Sequence, residues 1–109
     1  MARNLAAGGF RVLAYDVAEP ARWASPPIEP ARSAAAVAQG TEIVLMSLPD
    51  AAAVRGALNE VLAAAARRVK VVIDLSTIGV TAAREFAARL DAAGIAYVDA
   101  PVSGGVSGA

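Results

Sequence analysis

An α/β fold built on a parallel, doubly wound sheet is the expectation from sequence, and three observations carry it. Short runs rich in β-branched and aromatic residues, "RVLAYD", "EIVLMSL", "VKVVIDL" and "IAYVDAPV", alternate along the 109 residues with segments whose apolar residues recur at helical spacing. The connections between runs exceed the roughly dozen residues that a parallel crossover requires, whereas a hairpin needs only about two to five. Pro, Asp and Gly stand where helices should start and stop. Together these describe βαβ units.

In chain order, "MARNLAAGG" reads as a short helical turn closed by Gly8 and Gly9, and residues 11–16 as a strand ending on Asp16. Residues 18–30, "AEPARWASPPIEP", hold four of the six prolines and are expected to form a loop with one short turn of helix near residues 21–24. A helix over residues 30–40 follows, with Pro30 at its first position and Gly40 as its stop. Residues 42–48 form the next strand. Asp50 then caps a helix in which Val54, Leu58, Val61, Leu62 and Ala65 share a face, with Arg67 and Arg68 at the negative end of its dipole. Residues 69–75 are nearly continuous apolar, the pattern of a strand covered on both faces. Residues 81–93 form a helix with Ala83, Phe86, Leu90 and Ala93 inward, a Glu85 and Arg89 pair outward, and Gly94 as its stop. A last strand, residues 95–102, runs into "SGGVSGA".

Composition narrows the function. The length suits one domain, and a net charge of zero from ten basic and ten acidic residues leaves no electrostatic footprint for a nucleic acid or an anionic membrane. The apolar fraction of 57% owes much to alanine, and no uncharged apolar run approaches the roughly 18 residues of a spanning helix. The stretch after Met1 breaks at Gly8 and Gly9 before a signal-type apolar region forms. Without Cys or His there is no disulfide, thiol nucleophile or imidazole base, and the common zinc ligand sets are excluded. Cytoplasmic residence is the expectation, with no metal.

In parallel sheets ligands gather beyond the carboxyl ends of the strands, so the informative residues are Asp16, "SLPD", "LSTI" and "DAPVSGG". In order, "MARNLAAGGFRVLAYD", "SLPD", "DLSTI" and "YVDAPVSGGVSGA" resemble consecutive blocks of the β-hydroxyacid dehydrogenases, the family of 3-hydroxyisobutyrate dehydrogenase and tartronate semialdehyde reductase, related to 6-phosphogluconate dehydrogenase. The resemblance implies a Rossmann-like domain that takes NAD rather than NADP. It also implies hydride transfer between the nicotinamide and the alcohol carbon of a small β-hydroxyacid.

Residue by residue, the resemblance makes Asp16 the acceptor of the adenosine ribose hydroxyls, a carboxylate that repels a 2′-phosphate. Val17 stands where NADP-preferring relatives tend to have an arginine. Leu48 and Pro49 would set backbone against the nicotinamide half, although Pro49 alone also makes an ordinary strand-to-helix turn. Where some relatives have a polar side chain shortly after this proline, the chain has Ala52 and Ala53. Thr77 would reach the nicotinamide ribose, while Ser76 and Thr77 read equally as turn residues. Ser103, Gly104 and Gly105 would hold the substrate carboxylate, a small hydroxyl beside backbone amides open to close approach. Without the resemblance, the same stretch reads as a flexible terminus. Asp74 and Asp99 read as strand-end carboxylates satisfied by nearby backbone rather than as an acid/base pair.

The resemblance places a first strand and a G-x-G-x-x-G loop ahead of the "MARNL" block, and a lysine aided by an asparagine on a helix beyond "SGGVSGA" as the proton-transfer group. Lys70, the one lysine, opens a strand at the end away from the site. Residues 1–109 are therefore expected to be a partial dinucleotide-binding domain without the all-helical C-terminal domain, inactive alone. In a sheet of order 3-2-1-4-5-6 the first strand is central, so the strands at residues 11–16 and 69–75 are expected to keep unpaired inner edges that favour self-association. The rival expectation is a non-catalytic nucleotide-binding or assembly module.

Overall fold

The computed structural model describes residues 1–19 and 24–102. The helical turn expected near residues 21–24 and the "SGG" stretch fall mostly or wholly outside them. Helix α1 (Ala2–Ala7) ends because Gly9 adopts φ +90°, which turns the amides of Gly9 and Phe10 back onto the carbonyls of Ala6 and Leu5 at 3.1 and 3.2 Å.

Strand β1 (Leu13–Ala14) is shorter than the expected residues 11–16 and pairs in parallel with β2 (Glu29–Pro30), Leu13 opposite Glu29 and Ala14 opposite Pro30. Strand β2 corrects the sequence reading, which made this stretch a loop and put Pro30 in a helix. The ladder shows why proline is tolerated there. Glu29 and Ala31 donate to the carbonyls of Val12 and Ala14 at 2.9 and 2.7 Å, so the nitrogen between them faces away from β1 and needs no hydrogen. Arg11 and Glu29 close the pair with two side-chain hydrogen bonds of 3.0 Å. Helix α2 (Ala34–Gly40) consequently starts later than expected, capped by the Ser33 hydroxyl, which accepts from the Ala36 amide at 3.0 Å.

Strands β3 (Ile43–Met46), β4 (Val71–Asp74) and β5 (Ala96–Asp99) form a second parallel sheet in the order β3-β4-β5. The two sheets, β2 with β1 and β3 with β4 and β5, match the 3-2 and 4-5-6 halves of the doubly wound order. This overturns the expected position of one open edge. The strand at residues 69–75 is paired on both sides, and the inner edges belong to β1 and β3. The missed β2 is the reason, because it takes the third place and moves every later strand up by one.

Helices α3 (Ala51–Ala63) and α4 (Val80–Ala92) pack Val54, Leu58, Val61, Phe86 and Leu90 against Val44, Met46 and Val72. The carboxylate of Asp50 accepts the Ala53 amide at 2.8 Å, the cap expected of it. Helix α3 stops at Ala63, so Ala65 leaves the inward face, and Arg67 donates to the Leu62 carbonyl at 3.1 Å. Helix α4 ends where Gly94 takes φ +75°: the Gly94 and Ile95 amides return to Asp91 and Leu90, burying Ile95 beside Leu90.

Two further expectations change. Only one face of β4 is buried, through Val72 and Asp74, while Val71 and Ile73 are half-buried and Ile43 and Val98 on the neighbouring strands are exposed. Glu85 makes no hydrogen bond to Arg89, whose charge alone acts on it. It takes Arg55 of α3 at 3.2 and 2.9 Å, and Arg89 donates to Asn59 at 2.6 Å, because the facing helix offers partners that span the α3 and α4 contact. The Arg55 hydrogen bond holds the Glu85 carboxyl below its ordinary value of 4.5. That stabilisation is present above the ordinary glutamate range and is lost as pH falls through the lowered value. Glu85→Gln should therefore melt below the parent at neutral pH and match it in acid, measured by thermal denaturation across pH.

Candidate functional site

Parallel pairing sets the carboxyl ends of β3, β4 and β5 along one edge, where three turns leave the sheet: Ser47 to Asp50, Leu75 to Ile78, and Ala100 to Val102. Backbone bonds tie them to the sheet, from Leu75 N–H to the Met46 carbonyl at 2.8 Å and from Ala100 N–H to the Asp74 carbonyl at 2.9 Å.

Leu48 and Pro49 lie in the first turn. Leu48 packs against the core, and its amide donates to the Ser76 hydroxyl oxygen at 2.9 Å, while Pro49 is exposed and hands the chain to the Asp50 cap. Thr77 lies in the second turn with its side chain exposed beside the buried Ser76. The structure thus brings Leu48, Pro49 and Thr77 together. Asp16 stands two residues past β1, on the other sheet; it is exposed, and its Oδ1 accepts the Ala18 amide at 3.0 Å in an Asx turn that holds the carboxylate at the strand end. Ser103, Gly104 and Gly105 lie outside the described residues.

Beneath the exposed groups is a buried polar set that sequence reasoning only partly found. Asp74 is fully buried; its Oδ1 accepts the Ser76 amide at 2.9 Å, as expected of a carboxylate satisfied by backbone, and its Oδ2 accepts the Tyr97 hydroxyl at 2.8 Å. Asp99, opposite Asp74 in register, is exposed. Burial, and then the hydrogen bond to Asp74, push the Tyr97 hydroxyl well above the ordinary tyrosine range, so it remains a donor. Ser76 and Tyr97 were the missed members. The D-x-S spacing of an Asx turn was the available signal for Ser76; Tyr97 carried none, because only strand register brings it to Asp74. Lys70 stands before β4 at the opposite edge, paired with Glu42 at 3.5 Å.

Groups of these kinds are what a dinucleotide would need. An exposed carboxylate stands two residues past β1, while an exposed hydroxyl and a proline turn stand at one edge of the second sheet, held from below by buried and partly buried hydrogen bonds. Among the described residues no cluster of carboxylates could hold a metal ion, and no helix is long and apolar enough to cross a membrane.

The sequence profile of the family described as the NAD binding domain of 6-phosphogluconate dehydrogenase matches residues 1–109. The probable 3-hydroxyisobutyrate dehydrogenase of Mycobacterium tuberculosis is 40% identical over 111 residues, covering all of this chain and 37% of that protein. The NAD-dependent L-serine dehydrogenase of Pseudomonas aeruginosa is 34% identical, with 38% of its length covered. The solved structure of Mycobacterium tuberculosis 3-hydroxyisobutyrate dehydrogenase with L-serine superposes with a TM-score of 0.86 at 38% identity, over 97% of this chain and 37% of that one. The chain thus spans little more than a third of the relatives it matches. An α/β fold of parallel strands and a profile matched from end to end agree: the chain belongs to the family of the NAD binding domain of 6-phosphogluconate dehydrogenase, and its cofactor is NAD.

Proposed function

We propose that this chain is the cofactor-binding part of a cytoplasmic NAD-dependent dehydrogenase that acts on a small β-hydroxyacid of the 3-hydroxyisobutyrate or L-serine type. The observation that carries the reading is the grouping of Leu48, Pro49 and Thr77 at one sheet edge, above the Ser76 to Leu48 hydrogen bond. Bound there, the nicotinamide supplies hydride exchange with the alcohol carbon of the substrate.

The chain's own groups bind and orient. Asp16 accepts the hydroxyls of the adenosine ribose with acceptor capacity left by its Asx turn, and its charge disfavours a 2′-phosphate, so NAD is preferred to NADP. Thr77 offers its exposed hydroxyl to the nicotinamide ribose, and the turn at Leu48 and Pro49 sets backbone against the nicotinamide half. Ser103, Gly104 and Gly105 receive the substrate carboxylate. Proton transfer is assigned to none of the described residues, since Lys70 stands at the far edge of the sheet in an ion pair.

Titration of the purified chain with NADH and with NADPH, followed by nucleotide fluorescence, tests this. The expected result is saturable binding of NADH, weaker binding of NADPH, and no NADH formation when NAD and 3-hydroxyisobutyrate are supplied together. Equal affinity for the two nucleotides would remove the role given to Asp16, and binding of neither would remove the cofactor reading.

A further inference from the structure

Asp74 and Ser76 are the buried polar residues among the described ones, at 0% and 4% exposure, and both lie where β4 leaves the sheet. Burying a carboxylate is costly unless it is hydrogen-bonded, and a strand-end aspartate needs no such environment: Asp99 holds the corresponding place on β5 in solvent. The cost is offset by what the group holds together. Asp74 Oδ1 takes the Ser76 amide and Oδ2 takes the Tyr97 hydroxyl of β5, at 2.9 and 2.8 Å. Ser76, fixed in this way, presents its Oγ to the Leu48 amide at 2.9 Å. No buried side-chain nitrogen or oxygen among the described residues lacks a partner. One chain of hydrogen bonds therefore runs from β5 through β4 to the turn after β3.

We infer that Asp74, Ser76 and Tyr97 are positioning residues that fix the distance between the turn at Leu48 and the hydroxyl of Thr77, and so set the grip on the nicotinamide half of the cofactor without touching it. Ser76 and Thr77 are adjacent, one side chain buried and one exposed, so the bond that anchors the first orients the second. The backbone bond from Leu75 to Met46 holds the strands in register, yet the Leu48 amide, two residues past β3, has Ser76 Oγ as its partner. The inference rests on the cofactor reading above.

Two ligands separate positioning from general weakening. NADH spans both halves of the proposed site, whereas AMP carries only the half assigned to Asp16. Ser76→Ala should bind NADH about tenfold more weakly, the effect of one partly buried hydrogen bond, with AMP affinity unchanged. Tyr97→Phe, which removes a partly exposed hydroxyl and keeps the ring, should do the same to a smaller extent. Asp74→Asn should stay nearest the parent, since its carbonyl can still accept from Ser76 while its amide donates to the Tyr97 oxygen. Equal losses for NADH and AMP in Ser76→Ala, or no loss for NADH, would overturn the inference while leaving the cofactor reading intact. Binding of neither ligand by the parent chain would overturn that reading and the inference with it.

Discussion

Phe86→Ala should lower the stability of the chain by about 3 to 5 kcal/mol, the range for deleting a large buried aromatic side chain. Phe86 is fully buried in the core between α3, α4 and the sheet, and the Arg55 guanidinium stands 5.3 Å from its ring centre. The variant therefore leaves a cavity and removes the ring over which Arg55 is placed. A domain of this size has a total stability of about 5 to 15 kcal/mol, so the loss takes much of it. The inner edges of β1 and β3 and the exposed Ile43 and Val98 leave less apolar burial to absorb it. Urea denaturation followed by circular dichroism measures the change. Val80→Ala on the same helix, at a residue 66% exposed, should shift the midpoint little and serves as the control.

Asp16→Ala should weaken NADH binding by about 10- to 100-fold, the worth of hydrogen bonds to a charged acceptor, and leave the melting temperature nearly unchanged. The structural reason for the second half is that Asp16 is exposed and its one described bond is the local Asx turn to Ala18. The same change removes the charge that faces a 2′-phosphate, so NADPH affinity should fall less than NADH affinity or rise. Adding Val17→Arg, at a residue 94% exposed, should move the preference further toward NADPH. Parallel titrations of the parent and both variants with the two nucleotides read this directly. A parent-like NADH affinity in Asp16→Ala would contradict the role given to the residue.

How far these features were legible in the sequence depends on the range of the interaction behind each. Helix α3 was legible because its signals are local: the Asp50 cap and the spacing of Val54, Leu58 and Val61. The end of α4 at Gly94 was legible for the same reason. Strand β2 was not, because Pro30 argues against a strand in any local reading, and only pairing with β1 reveals that its nitrogen faces away from the ladder. That one omission displaced the expected open edge from β3 to β4. The partner of Glu85 was likewise a question of which helix lies alongside, and Arg55 across the interface displaced Arg89 on the same helix.

The site divides in the same way. Asp16, Leu48, Pro49 and Thr77 could be singled out because they follow strands and recur in blocks that resemble a known family. The support under them could not: Tyr97 meets Asp74 through the register of β4 and β5, and Ser76 meets Leu48 through that of β3 and β4. Sequence reasoning left Ser76 and Thr77 as equivalent turn residues. The fold separates them into one buried anchor and one exposed hydroxyl.

The central claim is that the carboxyl ends of these strands hold NAD, and amide chemical shifts of the labelled chain during NADH titration test it most directly. The account predicts saturable shifts at Asp16 and Val17, at Leu48, and at Ser76 and Thr77, with Glu42 and Lys70 at the opposite edge unmoved. Shifts confined to Glu42 and Lys70, or none at any of these residues at saturating nucleotide, would contradict it.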